Sequence, residues 1–231
     1  MSADPHVSVI ALHGIALTDE EIEQTEGPVL EHAGSPHIRW LFPRAPRRKV
    51  TIMGGCLARA WFDTATYDRT LMDEMGIEAA TEAICSAVRT ERYRDRNSHR
   101  RRVVLMGFSQ GGALALNAGL RLQGEVDGII ALATALPFPD RLGVATSQSP
   151  PVFFGHGFLD PCVSYRLGRE SQQLLAAKRY QTEWHTYAYG HSTGRRQLRD
   201  VSDWLRRHFL DGAASARPLS VDAPFRLPSV A

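Results

Sequence analysis

The stretch Gly107-Phe108-Ser109-Gln110-Gly111 has the pattern G-x-S-x-G, between the apolar run VVLM and the Ala/Leu-rich run ALALNAGL. A serine on a sharp turn between a strand and a helix carries its hydroxyl above the sheet, where it can attack a carbonyl. Small residues on either side let strand and helix approach closely. The competing reading is a glycine-rich turn that holds phosphate. The dinucleotide fingerprint G-x-G-x-x-G is absent here.

A serine hydroxyl is a weak nucleophile and needs a base. In the elbow arrangement the chain order is serine, then an acid, then histidine. Four histidines follow Ser109: His156, His185, His191 and His208. His185 falls inside a β-branched and aromatic run. His208 falls late in an amphipathic segment, where a solvated face accounts for it. His191 lies in YGHSTG, after a strand-like run and before a helical one, which puts it at the same sheet edge as the serine. It is the best base. Asp160, just after PVFFGHG, is the preferred acid, since it would orient the imidazole and stabilise imidazolium. Asp140 is farther from a strand end, Asp127 starts a strand at the opposite edge, and His156 reads as structural. The backbone N–H groups of Gln110 and Ile15 are the expected oxyanion donors.

These residues need a scaffold that brings several strand ends together. Apolar runs at 7–12, 38–43, 103–108, 126–133, 151–157 and 182–189 read as strands buried on both faces. Segments 69–91, 110–122, 164–180 and 194–209 read as helices, with apolar residues at three- and four-residue spacing. The alternation predicts an α/β fold: a mostly parallel sheet with helices on both faces. The 231 residues fit one domain over 1–211, followed by an extended or disordered tail over 212–231.

Composition narrows the class further. The hydrophobic content of 43% suits a packed globular chain, and a net charge of +2 gives no reason to expect nucleic acid or membrane as partner. Three cysteines without C-x-x-C spacing predict neither a disulfide framework nor a zinc site. No signal peptide or membrane span is read, so a cytoplasmic setting is expected. Residues 89–102 hold seven arginines and read as a solvated loop at the edge opposite Ser109.

LHG (12–14), FPRAP (42–46), AWFD (60–63), GFSQGGALAL (107–116), HGFLDPCV (156–163) and YGHS (189–192) occur in one order. Together they resemble the carboxylesterase and acyl-protein thioesterase family of α/β-hydrolases, over roughly 7–209. The resemblance implies a hydrolase without a large lid domain, acting on small-molecule or acyl-protein esters or thioesters. It implies Ser109, Asp160 and His191 as the triad, Ile15 and Gln110 at the oxyanion hole, and an acyl groove near Trp61 and Leu136. A homodimer is open to it; no metal or other cofactor is expected. Asp63 reads as a brace for the loop around Trp61, and Cys162 as a small buried filler.

The chain departs from the family pattern after His13-Gly14, where HGIALTDEEIEQTEG replaces a glycine-rich loop and its DEEIE portion looks helical. Only six residues precede the first strand. Three other readings stay open. The acyl-enzyme could pass to a nucleophile other than water, as in an acyltransferase or cyclase. The bond could be that of a lactone or an amide. The chain could also be a non-catalytic binding module on this fold.

Overall fold

The computed structural model describes residues 7–35, 37–68, 70–94 and 101–210. The expected tail, 212–231, and the middle of the arginine-rich stretch lie outside the described residues.

Six strands form one parallel sheet: β1 (Val7–Leu12), β2 (Ile38–Leu41), β5 (Arg102–Phe108), β6 (Gly128–Leu132), β7 (Val152–Gly157) and β8 (Thr182–Tyr187). Their order across the sheet is β2-β1-β5-β6-β7-β8. Each run expected from sequence forms its strand, trimmed by up to two residues at an end or, for β5, extended by one to Arg102. The helices are α1 (Asp19–Ala33), α2 (Glu74–Arg92), α3 (Gln110–Arg121), α4 (Tyr165–Ala177) and α5 (Arg195–Leu205). The strand residues alternate between two cores, as a pleated sheet requires. Ile10, Leu12, Val103, Leu105, Ile129, Ala131, Val152 and Phe154 pack with α2, α3 and α4. Val7, Val9, Val104, Met106, Ile130, Leu132 and Phe153 pack with α1 and α5. The fold is therefore the expected α/β sheet covered on both faces.

Two features depart from the sequence reading. An antiparallel hairpin, β3 (Arg47–Val50) and β4 (Cys56–Arg59), stands apart from the main sheet. Its strands RRKV and CLAR are short and half charged, so their pattern is too weak to read as strand. Val50 and Ala58 bury one side of it against Ile15 and Met53. Within the described part of the arginine-rich stretch, Arg92 and Arg101 are buried rather than solvated, while Arg89, Arg94 and Arg102 are exposed as expected. Arg89 and Arg92 close the last turn of α2, and Arg92 is buried, donating to Asp127 Oδ2 and to the Glu125 carbonyl. Asp127 also accepts from the Val103 N–H, so this pair braces the amino edge of β5.

Candidate active site

Ser109 sits between the last residue of β5 and the first of α3, with φ +55° and ψ −119°. A side chain in this left-handed region costs about 1–3 kcal/mol, which the surroundings must supply. Its N–H donates to the Leu132 carbonyl at 2.9 Å. The glycines on either side are forced by space. A Cβ on Gly107 would lie 2.1 Å from the Gly111 carbonyl oxygen, and one on Gly111 would lie 2.2 Å from that of Leu12.

Because β5, β7 and β8 run parallel, the segments that follow them meet at one edge. Ser109 Oγ lies 2.9 Å from His191 Nε2, and His191 Nδ1 lies 2.8 Å from Asp160 Oδ2. Nδ1–H donating to the carboxylate leaves Nε2 free to accept the serine proton. Phe108 packs against the imidazole, with ring centroids 4.8 Å apart. Asp160 is held in turn: Oδ1 accepts from the N–H groups of Cys162 and Val163, each at 2.9 Å. Buried His156 lies 3.3 Å from Oδ2 through Nε2, which also donates to the Val163 carbonyl at 2.9 Å. Burial would raise the Asp160 pKa. The hydrogen bonds from His156 and His191 outweigh it and hold the carboxyl well below the ordinary range.

The loop after β1 passes beside the serine. A Cβ on Gly14 would stand 3.3 Å from that of Ser109, and Ile15, next in the chain, lines the same cleft as Ser109. Gln110 is the first residue of α3, and its N–H therefore has no acceptor within the helix. His13 pins this loop. Its Nε2 accepts from the Ala45 N–H at 3.0 Å, and Nδ1 contacts the Gly14 carbonyl at 2.5 Å. Burial brings the His13 pKa down to about 4, helped by the positive charges of Arg44 and Arg59 and opposed by the bond to Gly14. His13 is thus neutral at pH 7.

A mainly apolar cleft opens at Ser109, with about 80 Å³ of free volume, walled by Ile15, Phe62, Tyr67, Leu71, Met72 and Pro137 among others. Trp61 and Leu136, the expected substrate contacts, do not line it. Both are buried in the core that α3 and the sheet share. The Trp61 indole N–H donates to the His13 carbonyl at 2.8 Å, and the Leu136 N–H to Ser171 Oγ at 2.9 Å. Their neighbours Phe62, Ala135 and Pro137 face the cleft instead.

A family model described as Phospholipase/Carboxylesterase matches residues 2–209. The chain belongs to that family. An acyl-protein thioesterase 1 of Mycosarcoma maydis is 30% identical over 219 residues, covering 88% of this chain and 91% of the relative. One from Saccharomyces cerevisiae is 29% identical over 214 residues, with 87% and 92% covered. The crystal structure of Zea mays acyl-protein thioesterase 2 superposes with a TM-score of 0.72 at 24% identity, covering 89% of this chain and 95% of that one. The chain is accordingly a hydrolase of the carboxylesterase/thioesterase kind on an α/β-hydrolase fold. No helix among the described residues is long and apolar enough to cross a membrane.

In this phospholipase/carboxylesterase-family member, Ser109, His191, Asp160, Gln110 and Ile15 converge, whereas Trp61 and Leu136 stand back. Sequence reasoning missed the Gln110 side chain. Its Oε1 accepts from the Trp61 N–H at 2.7 Å, and Nε2 donates to the Phe62 carbonyl at 2.9 Å and Thr64 Oγ1 at 3.0 Å. It also missed His156 as a second partner of Asp160. Of the weighed alternatives, Asp63 braces Thr51 through both carboxylate oxygens, as expected of it. His208 is half-buried, its ring 4.7 Å from that of Trp204, rather than on a solvated face.

Proposed function

We propose that the chain is a serine hydrolase that cleaves carboxylic esters or acyl thioesters through an acyl-enzyme on Ser109. One observation carries the reading: the unbroken line from Ser109 Oγ through His191 to Asp160, at 2.9 and 2.8 Å. Ser109 attacks the acyl carbonyl while His191 Nε2 takes its proton. The N–H groups of Gln110 and Ile15 hold the developing oxyanion. His191 then gives the proton to the leaving alcohol or thiol, and a water that it activates releases the acid. Asp160, kept ionised, fixes the imidazole tautomer throughout. The small apolar cleft favours the acyl chain, with Phe62, Leu71 and Met72 as its contacts. The acyl-protein thioesterase relatives support thioesters of acylated proteins among the substrates.

A fluorophosphonate probe should label the folded protein, and Ser109→Ala should lose the label. A panel of nitrophenyl esters and acyl thioesters of graded length would then rank the substrates. Absence of labelling in folded wild-type protein would sink the mechanism.

A further inference from the structure

One cluster shares Asp160 and His191 with the proposed triad and adds Cys162, which has no part in the reaction as derived. Cys162 Sγ, an Asp160 carboxylate oxygen and a His191 ring nitrogen all lie within 4.8 Å of one another. Thiolate, imidazole and carboxylate are the three ligand types that bind zinc. Tetrahedral bonds of about 2.0–2.3 Å put ligand atoms about 3.3–3.6 Å apart. The Cys162 sulfur must therefore close by roughly an ångström, within reach of a thiol turning about its Cα–Cβ bond, while the Asp160–His191 pair, 2.8 Å apart, must open to admit the ion.

We propose that Asp160, Cys162 and His191 form an inhibitory site for a thiophilic divalent cation, with zinc as the fitting ion. The inhibitory role rests on the serine-hydrolase reading above; the binding site does not. Three further observations favour it. The acid is already supported, since Oδ1 of Asp160 accepts from the Cys162 and Val163 N–H groups and Oδ2 lies 3.3 Å from His156 Nε2. Such support is what tunes metal ligands. The approach is from the cysteine side, where Cys162 is half-buried beside exposed Leu159 and Pro161, the Asp160 side chain itself being fully buried. Charge also balances: one thiolate and one carboxylate neutralise a divalent ion.

Binding takes the triad apart. The Cys162 thiol releases its proton to solvent, and the sulfur donates a lone pair to the ion. Asp160 turns an oxygen from the imidazole to the metal. If His191 binds through Nδ1, its remaining proton sits on Nε2 and points at Ser109. The ring then donates where it had to accept, and the serine keeps its proton. If His191 binds through Nε2, the lone pair that serves as base is used up. Three protein ligands leave the fourth position to water.

The test uses the full chain in two measurements. Co2+ titration reads thiolate coordination as a charge-transfer band, and Zn2+ titration reads each variant's hydrolysis against its own metal-free rate. Wild type and Ser109→Ala should both show the band. Cys162→Ala should lose it, and His191→Ala should weaken it. Cys56→Ser, which removes the exposed thiol, should keep it. Zinc should inhibit wild type reversibly on addition of a chelator, and Cys162→Ala or Cys162→Ser should raise the inhibition constant by roughly 10–100-fold. A band that survives Cys162→Ala, equal zinc sensitivity in the cysteine variants, or unchanged turnover in the metal-loaded enzyme overturns the proposal. Absence of hydrolysis in metal-free wild type would sink the esterase reading alone, since the cobalt band still decides the site.

Discussion

At the level of single residues, the proposed chemistry depends on two histidines held in opposite ways. His191 is turned toward an ionised carboxylate and is free to pick up a proton. His13 is buried, neutral, and committed to the Ala45 N–H and the Gly14 carbonyl. Asp160→Asn leaves the shape but removes the charge and favours the wrong imidazole tautomer. Turnover should drop about 10⁴-fold, and the melting temperature should fall as well, since the folded state loses the ionised carboxylate that His156 and His191 stabilise. Near-full activity in steady-state kinetics would remove Asp160 from the mechanism. His13 gives a separate signature. Its folded pKa, about 4, lies below the unfolded 6.5, so the unfolded chain binds more protons between those values. Stability is then complete above pH 6.5 and falls as pH is lowered toward 4, by about 3 kcal/mol. Burial lowers the His208 pKa as well, which adds in the same direction. Urea unfolding at pH 7.5 and 4.5 checks this, and His13→Ala should flatten most of the slope.

Among the elements, strand, turn and helix did the work that made the site readable. Runs such as VVLMGF, VDGIIALA and PVFFGHG are apolar on both faces, which marks a buried parallel strand without any partner in view. The positions of Ser109 and Asp160 follow because each comes just after such a run, and that of His191 because it follows the half-buried edge strand β8. What stayed hidden depends on contacts distant in sequence. Gln110 reaches residues 46 to 49 positions earlier, and nothing local to GFSQGG signals that. The β3–β4 hairpin is similarly obscured by its short charged strands. Trp61 shows the reverse case: a large aromatic beside the site that packs in the core, its indole N–H bonded to the His13 carbonyl. Gln110→Ala tests the hidden clamp, because it keeps the backbone N–H and removes only the side chain. The buried Trp61 N–H and Phe62 carbonyl then lack a partner, at a cost of about 1–3 kcal/mol. The wall formed by Phe62 and Thr64 should loosen, so KM for long acyl chains should rise more than kcat falls. An equal fall in kcat for short and long substrates would instead assign the side chain to the oxyanion hole.

In the molecule as a whole, the second core closes only when α5 and the turn after it are in place. Trp204 and Leu205 are buried against β6 and β7. Phe209 stands over Gly128, where a Cβ would lie 2.8 Å from its ring, and its carbonyl accepts from Arg102 at 3.2 Å. The family match ends at the same place, residue 209. A chain cut after residue 210 therefore keeps every contact described for this layer. It should match the full chain in melting temperature and in hydrolysis rate. A chain cut after residue 205 loses Phe209 and the Arg102 acceptor and uncovers Trp204, at roughly 2–4 kcal/mol. Its melting temperature should drop by several degrees, while the proposed triad, at the far edge of the sheet, should keep its kcat at temperatures where the protein remains folded. Thermal melts and initial rates on the two truncations separate these outcomes. If the cut after 210 costs as much as the cut after 205, residues beyond the family match belong to the folded unit.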